Sequence, residues 1–265
     1  MFRLPNLVLL CLTAPMLQAL EIIAHRGASH DAPENTVVAA RLAFTQGADA
    51  VEVDVWQTKD GRLAVIHDKT TIRTTGVSGN VKEMTMADLR KLDAGTWKGG
   101  SYAGEQVPTL DDILNTRPKG KRIVIEIKDN HELATELAAS LKRTGTTARD
   151  AVIISFDHPT LRHVKQRLPD YTCLWLASYQ PDKKTGKVSP GLDEMIRVCK
   201  AAGFDGLNLN FNWPIDRAFT EKVHAAGLRL YVWTVNDADV AKRLVAAGVD
   251  GITTDRPAWL REQWK

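Results

Sequence analysis

Short runs rich in β-branched residues alternate along the chain with stretches whose apolar positions recur every three or four residues. The runs Ile22–His25, Ala50–Trp56, Ile123–Lys128, Val152–Phe156, Cys173–Ala177, Gly206–Asn210, Leu230–Thr234 and Gly251–Thr254 predict strands. Helical stretches lie between them, at Thr36–Gln46, Glu132–Arg143, Pro159–Arg167, Leu192–Ala202, Arg217–Ala226 and Ala238–Ala247. Eight strands separated by helices predict an α/β fold, a closed parallel (β/α)8 barrel of the TIM type. A weak repeat agrees. Gly47-Ala48-Asp49-Ala50, Gly203-Phe204-Asp205-Gly206 and Gly248-Val249-Asp250-Gly251 each set a helix-ending glycine just before a strand. Residues 68–108 break the rhythm. They are rich in Gly, Thr and Ser, with one short helical pattern at Thr85–Leu92, and read as an insertion over one end of the barrel.

Alternation within the strands locates the chemistry. In Val51-Glu52-Val53-Asp54-Val55 the valines share one face and the two acids the other; in Ile123–Lys128 the isoleucines oppose Glu126 and Lys128. A barrel strand turns its apolar face out toward the helices, so Glu52, Asp54 and Glu126 point inward. Other strand ends are polar as well: His25 and Arg26, Ser155 and Asp157, Asn208 and Asn210, Trp233, Thr254 and Asp255. Polar groups gathered at one end mark an active site at the C-terminal face. Three inward carboxylates repel one another unless a cation or a proton sits among them. Their all-oxygen donor set favours one hard divalent cation, Ca²⁺ or Mg²⁺, over zinc. A carboxylate cluster neutralised by Lys128 without a metal is the alternative.

Two histidines converge on the same mouth. His25 ends the first strand, beside the second. Asp60-Gly61 signals a two-residue hairpin turn. Counting back from it pairs Asp54 with His67 and predicts that the hairpin returns His67 to the carboxylates. Two histidines beside a metal suit one general base and one general acid. Arg26 and Lys128 suit an anionic group, phosphate above all. His30, His131, His158, His163 and His224 fall in helices or loops and receive no role.

Composition narrows the classes. Of 265 residues 44% are hydrophobic and 25% charged, as in ordinary soluble proteins. With 35 Lys+Arg against 32 Asp+Glu there is no global basic field, so no nucleic-acid partner is expected. Residues 1–19 read as a signal peptide: Arg3, then the apolar run Leu7–Leu12, too short to span a bilayer, and small Ala19 before Leu20. Residues 20–265 then form a single barrel domain, periplasmic or secreted, without stable membrane insertion. Export permits a disulfide between Cys173 and Cys199, but two buried free thiols are the expected state.

The ordered motifs His25-Arg26-Gly27, Pro33-Glu34-Asn35-Thr36, Glu52-Val53-Asp54, Asp60-Gly61, His67-Asp68, Gly95-Thr96-Trp97, Val107-Pro108-Thr109-Leu110, Glu126-Ile127-Lys128, Trp233-Thr234-Val235-Asn236 and Gly248–Asp255 resemble the glycerophosphodiester phosphodiesterase family from about Ile22 to Pro257. One departure is Ile72-Arg73-Thr74, where the family pattern has an acid before the arginine. The resemblance implies hydrolysis of small-molecule glycerophosphodiesters, the deacylated phospholipids, to glycerol 3-phosphate and an alcohol. It implies metal ligation by Glu52, Asp54 and Glu126 and acid/base catalysis by His25 and His67. Arg26 and Lys128 would hold phosphate, Glu34 would support the site, and Trp233 would wall the pocket. The glycerol hydroxyl would act as nucleophile through a cyclic phosphodiester. The rivals are a phospholipase D-like enzyme acting on lysophospholipids and an inactive barrel that binds phosphate esters.

Overall fold

A computed structural model describes residues 20–263. The signal-peptide reading of residues 1–19 lies outside the described residues. The strands are β1 (Glu21–Ala24), β2 (Ala50–Gln57), β3 (Leu63–Val65), β4 (Arg122–Ile127), β5 (Ala151–Ser155), β6 (Thr172–Ala177), β7 (Gly206–Asn210), β8 (Arg229–Trp233) and β9 (Gly251–Thr254). The helices are α1 (Val37–Thr45), α2 (Ile72–Thr75), α3 (Met86–Leu89), α4 (Leu110–Leu114), α5 (Ala134–Arg143), α6 (His158–Arg167), α7 (Leu192–Ala202), α8 (Arg217–Ala225), α9 (Ala238–Ala247) and α10 (Pro257–Glu262). Eight parallel strands close into a barrel, because β1 bonds to both β2 and β9. The antiparallel β3 is an extra strand paired with the far end of β2, at Val55–Gln57. Among the described residues no helix is long and apolar enough to cross a membrane.

The strand alternation works as the pattern demands. Val51, Val53, Val55, Ile123, Ile125 and Ile127 are buried outward against the helices. Ile23, Ala50, Val124, Val152, Ile154, Leu174, Leu176 and Tyr231 fill the barrel interior. Side-chain caps fix where helices begin: Thr36 on α1, Thr109 with Asp112 as a reciprocal box on α4, and Asp157, Asp216 and Asp237 on α6, α8 and α9. Each such cap is worth about 1 kcal/mol. Cys173 and Cys199 are buried free thiols, and burial pushes both up to about 12, which leaves them unreactive.

Two expectations need correcting. The β2–β3 loop is three residues, Lys59-Asp60-Gly61, and not a two-residue turn. The Thr58 N–H donates to the Arg62 carbonyl at 2.9 Å, and Gly61 closes the turn at φ +76°. The register therefore slips by one. Val55 faces Val65, and Ile66 rather than His67 lies opposite Asp54, whose carbonyl accepts from the Ile66 N–H at 3.0 Å. Second, residues 68–108 hold more structure than one helical pattern. α2, α3 and two 3₁₀ turns enclose a small core of Ile66, Val81, Met86, Leu89, Ala94 and Val107, with Trp56 beside it.

Two glycines of one αβ junction make different demands. Gly203 ends α7 at φ +72°, with open space where a side chain would go. Gly206 begins β7, where a Cβ would stand 2.3 Å from the Arg229 carbonyl oxygen of β8. Gly203→Ala should cost about 1 kcal/mol, from left-handed strain alone. Gly206→Ala should cost about 3 kcal/mol, at the upper end for overpacking. Urea denaturation midpoints will rank the two, and the reverse order would mean that β7 and β8 part freely.

Candidate active site

The parallel pairing of β2 with β4 builds the centre of the site. It sets Glu52 beside Val124 and Asp54 beside Glu126, all on the inner face at the C-terminal end. One carboxylate oxygen from each of Glu52, Asp54 and Glu126 lies within 4.8 Å of the others, and all three residues are buried. Burial and the neighbouring acids Asp54 and Glu126 push the Glu52 carboxyl well above its ordinary range. Burial and the Asp54 charge push Glu126 up to about 7. Burial raises Asp54 too, but Arg26 and Lys128 outweigh it and hold this carboxyl below its usual value.

Cations and amides secure the outer oxygens. The Arg26 backbone N–H donates to Glu52 Oε2 at 2.9 Å, and its guanidinium lies 3.4 Å from Asp54 Oδ2. The Asn35 amide donates to the same Asp54 oxygen at 2.8 Å and accepts from the Asp54 N–H at 3.2 Å. Lys128 Nζ donates to Glu126 Oε1 at 2.8 Å and lies 3.6 Å from Asp54 Oδ1. Glu52 Oε1 and Asp54 Oδ1 are buried and accept no hydrogen bond. Buried carboxylate oxygens without donors are costly, and this pair faces the third acid. Three hard oxygen donors with unspent lone pairs fit a divalent cation.

The histidines flank this cluster, each backed by an aspartate. His25 Nδ1 meets Asp255 Oδ1 at 2.7 Å; Ser29 and Asn236 donate to the same carboxylate at 3.0 and 2.6 Å. His67 Nδ1 meets Asp68 Oδ1 at 2.6 Å, and Arg73 Nε donates to Asp68 Oδ2 at 2.6 Å. These bonds hold both carboxyls near 2 against the upward push of burial. A carboxylate at Nδ1 draws the ring proton there and turns Nε2, as a lone pair, toward the mouth. Lys128 Nζ lies 3.2 Å from His67 Nε2, consistent with that tautomer. Burial lowers the His67 pKa, with the Asp54 charge opposing. His67 reaches the mouth by a route other than strand register. It lies beyond β3, and the Trp56 indole N–H donates to its carbonyl at 3.0 Å.

His25, Arg26, Glu52, His67, Glu126 and Lys128 line a cavity of about 250 Å³, with Ile154, Leu176, Asn208, Phe156, Trp233 and Thr253 as its other walls. Trp233 is anchored by its indole N–H on the Asn208 carbonyl at 3.1 Å and meets Phe156 edge-on at 5.5 Å. Glu34 does not line this cavity; it accepts from Arg26 at 3.0 Å and from Arg73 at 2.9 and 2.7 Å, and so steadies the two arginines. His30, His131, His158, His163 and His224 all lie outside the cavity. Sequence reasoning gave no role to Asn35, Trp56, Asp68, Arg73 or Asn236, and set Asp255 at the mouth without a partner. Two of these were within reach: Asp68 adjoins His67, and closure of β9 on β1 brings Asp255 to His25 through the Ala24–Thr254 pairing.

Comparison with known proteins gives one consistent result. Residues 25–259 match the glycerophosphoryl diester phosphodiesterase family. A glycerophosphodiester phosphodiesterase of Caldanaerobacter subterraneus is 38% identical over 245 residues, covering 90% of this chain and 95% of that protein. One from Bacillus subtilis is 32% identical over 251 residues, 89% of this chain and 83% of its own length. Among solved structures, an Oleispira antarctica phosphodiesterase in complex with the product sn-glycerol-3-phosphate superposes with a TM-score of 0.81 at 28% identity, covering 92% and 96% of the two chains.

The carboxylate cluster makes a prediction that needs no substrate. Glu52→Gln removes one of three converging charges, so the metal-free variant should melt no lower than wild type. Millimolar Ca²⁺ or Mg²⁺ should raise the wild-type midpoint, since a ligand at 100 times its Kd adds about 2.7 kcal/mol. The variant should gain much less. Equal metal-induced shifts in both proteins would remove Glu52 from the ligand set.

Proposed function

The chain belongs to the glycerophosphoryl diester phosphodiesterase family, and on that premise we propose that it is an enzyme hydrolysing glycerophosphodiesters to glycerol 3-phosphate and an alcohol at the mouth of its barrel. The observation that carries the reading is the placement of three converging carboxylates, two of their oxygens unpartnered, between two histidines that are each held by an aspartate. Lysophospholipase D-like action is the weaker reading. A cavity of about 250 Å³ suits a small water-soluble diester better than an acyl chain. The inactive-barrel reading fails to explain why both histidines are oriented for proton transfer.

Glu52, Asp54 and Glu126 would hold one divalent cation, Ca²⁺ or Mg²⁺, which would polarise the phosphoryl oxygens and lower the charge barrier to nucleophilic attack. Arg26 and Lys128 line the same cavity and offer N–H donors to the phosphate anion. The 2-hydroxyl of the glycerol arm lies one carbon from the phosphoester carbon. Its attack on phosphorus closes a five-membered cyclic phosphodiester and expels the alcohol. One histidine takes the hydroxyl proton and the other protonates the departing oxygen. Water then opens the ring with the two proton transfers reversed. Holding the attacking hydroxyl in the same molecule removes entropy from the barrier, on the order of 7–11 kcal/mol in favourable cases. Residues 1–19 direct export in this reading, so the enzyme works in the periplasm or outside the cell, and the mature chain begins near Leu20.

Release of glycerol 3-phosphate from glycerophosphocholine should be lost on chelation and return with Ca²⁺ or Mg²⁺; full turnover after exhaustive chelation would overturn the assignment. His25→Ala and His67→Ala should each lower kcat by roughly 10²–10⁴. Their thermal midpoints should stay close to wild type, because both rings are partly exposed at the mouth. An analogue of glycerophosphocholine lacking the 2-hydroxyl should be a poor substrate. Equal kcat/KM for the two diesters would instead favour direct attack by water.

A further inference from the structure

A second cavity, of about 310 Å³, adjoins the barrel mouth and shares His25 and Arg26 with it. These two residues therefore stand at a junction with space on both sides. The mouth cavity is floored by buried Ile154 and Leu176 and is closed toward the barrel interior. The lateral cavity instead opens past Trp97 and His30, both exposed to solvent. A phosphodiester has two arms. The constant arm, glycerol, suits the closed side. The variable arm, the alcohol, suits the open side, where groups of different size can project into water.

The chemistry of the lateral wall is specific. Trp97 lies in the insertion, and its indole N–H on the Ala94 carbonyl at 2.9 Å fixes the ring with 42% of the residue exposed. Its neighbour Lys98 reaches 69 residues back to the Ser29 carbonyl at 2.7 Å, while its ammonium lies 5.8 Å from the Trp97 ring centroid. Among the described residues Lys98 makes no ion pair within 4.0 Å, although it lies partly buried at the cavity wall. The two acids on the same wall are already engaged. Asp255 serves His25, Ser29 and Asn236, and Glu34 serves Arg26 and Arg73. Lys98 is thus the cation on that wall that no carboxylate holds within 4.0 Å, beside a flat apolar face.

We propose that the lateral cavity receives the alcohol arm of the diester, and that Lys98 makes it favour alcohols carrying a carboxylate, whose carbon chain lies along Trp97. This rests on the phosphodiesterase reading given above. A quaternary ammonium is disfavoured there, because Lys98 already occupies the approach to the indole face and repels a second cation.

Glycerophosphoserine and glycerophosphoethanolamine differ by one carboxylate, so the ratio of their kcat/KM values isolates the contact. Wild type should favour the serine diester several-fold. Lys98→Met should lower kcat/KM for the serine diester about tenfold more than for the ethanolamine diester, mainly through KM, as for loss of one charge-assisted contact. Lys98→Arg keeps the charge and should retain the preference, which guards against a fold defect in the Met variant. Trp97→Ala should raise KM for both diesters. A ratio unchanged by Lys98→Met, or a wild-type preference for the ethanolamine diester, would overturn the proposal. Failure of wild type to release glycerol 3-phosphate from either diester would instead overturn the underlying phosphodiesterase reading.

Discussion

The upper half of the barrel is organised around mutual repulsion among Glu52, Asp54 and Glu126. Two like charges about 5 Å apart cost roughly 3 kcal/mol at an effective dielectric near 20, and three such pairs meet here. Arg26 and Lys128 bring two positive charges against three negative ones. That leaves a deficit of one, which appears in the structure as the raised carboxyls of Glu52 and Glu126 and as two buried oxygens without donors. A bare barrel could relieve this by replacing one acid with a neutral residue. Three carboxylates so placed could hold a cation or a proton among them, beside the site's own arginine and lysine.

Backbone strain is concentrated in the same place. Arg26 and Asn35 are the two non-glycine residues with positive φ among those described, at 54° and 58°. Each costs about 1–2 kcal/mol relative to an ordinary conformation. The strain has a visible return. At Arg26 it aims a backbone N–H at Glu52 while the guanidinium reaches Asp54 and Glu34; at Asn35 it presents an amide to both the carboxylate and the N–H of Asp54. Gly27 completes the turn, since a Cβ there would stand 2.7 Å from the backbone of Ala39 in α1. Asparagine and glycine tolerate such geometry; arginine does so here because its contacts overdetermine it.

Most of the fold was legible because barrel strands carry a period of two and their helices a period near 3.6, and both patterns survive in Val51–Val55, Ile123–Ile127 and the helices that cover them. The inward acids followed from the same alternation. His67 did not. Its expected route depended on counting through a turn; a two-residue Asp-Gly turn needs positive φ at both residues, and here only Gly61 adopts it, so the loop is three residues long. The ring still reaches the mouth because Trp56 and Asp68 fix its backbone and its Nδ1, contacts that no periodicity records. The positioning residues were obscure for a similar reason. Asp255 lies 230 residues from His25 and becomes its neighbour only when the sheet closes, while Glu34 and Arg73 meet across 39 residues of chain.

The two histidines are consequently held by different parts of the molecule. His25 is tied through Asp255 and Asn236 to the last strand, so barrel closure itself sets its ring. His67 is tied through Asp68 and Arg73 to the start of the insertion, and Arg73 is clamped in turn by Glu34, which also grips Arg26. One chain of ion pairs thus runs from Asp68 through Arg73, Glu34 and Arg26 to Asp54, joining the insertion to the carboxylate cluster. This explains why Ile72, where an acid precedes the arginine in the family pattern, leaves the geometry intact. Ile72 is 48% exposed, and Arg73 finds its two carboxylates elsewhere. It also ties the insertion mechanically to the barrel mouth. A shift of Arg73 would loosen Asp68 behind His67 and Glu34 behind Arg26 together, so the settings of the His67 ring and of the Arg26 side chain are coupled through a single guanidinium.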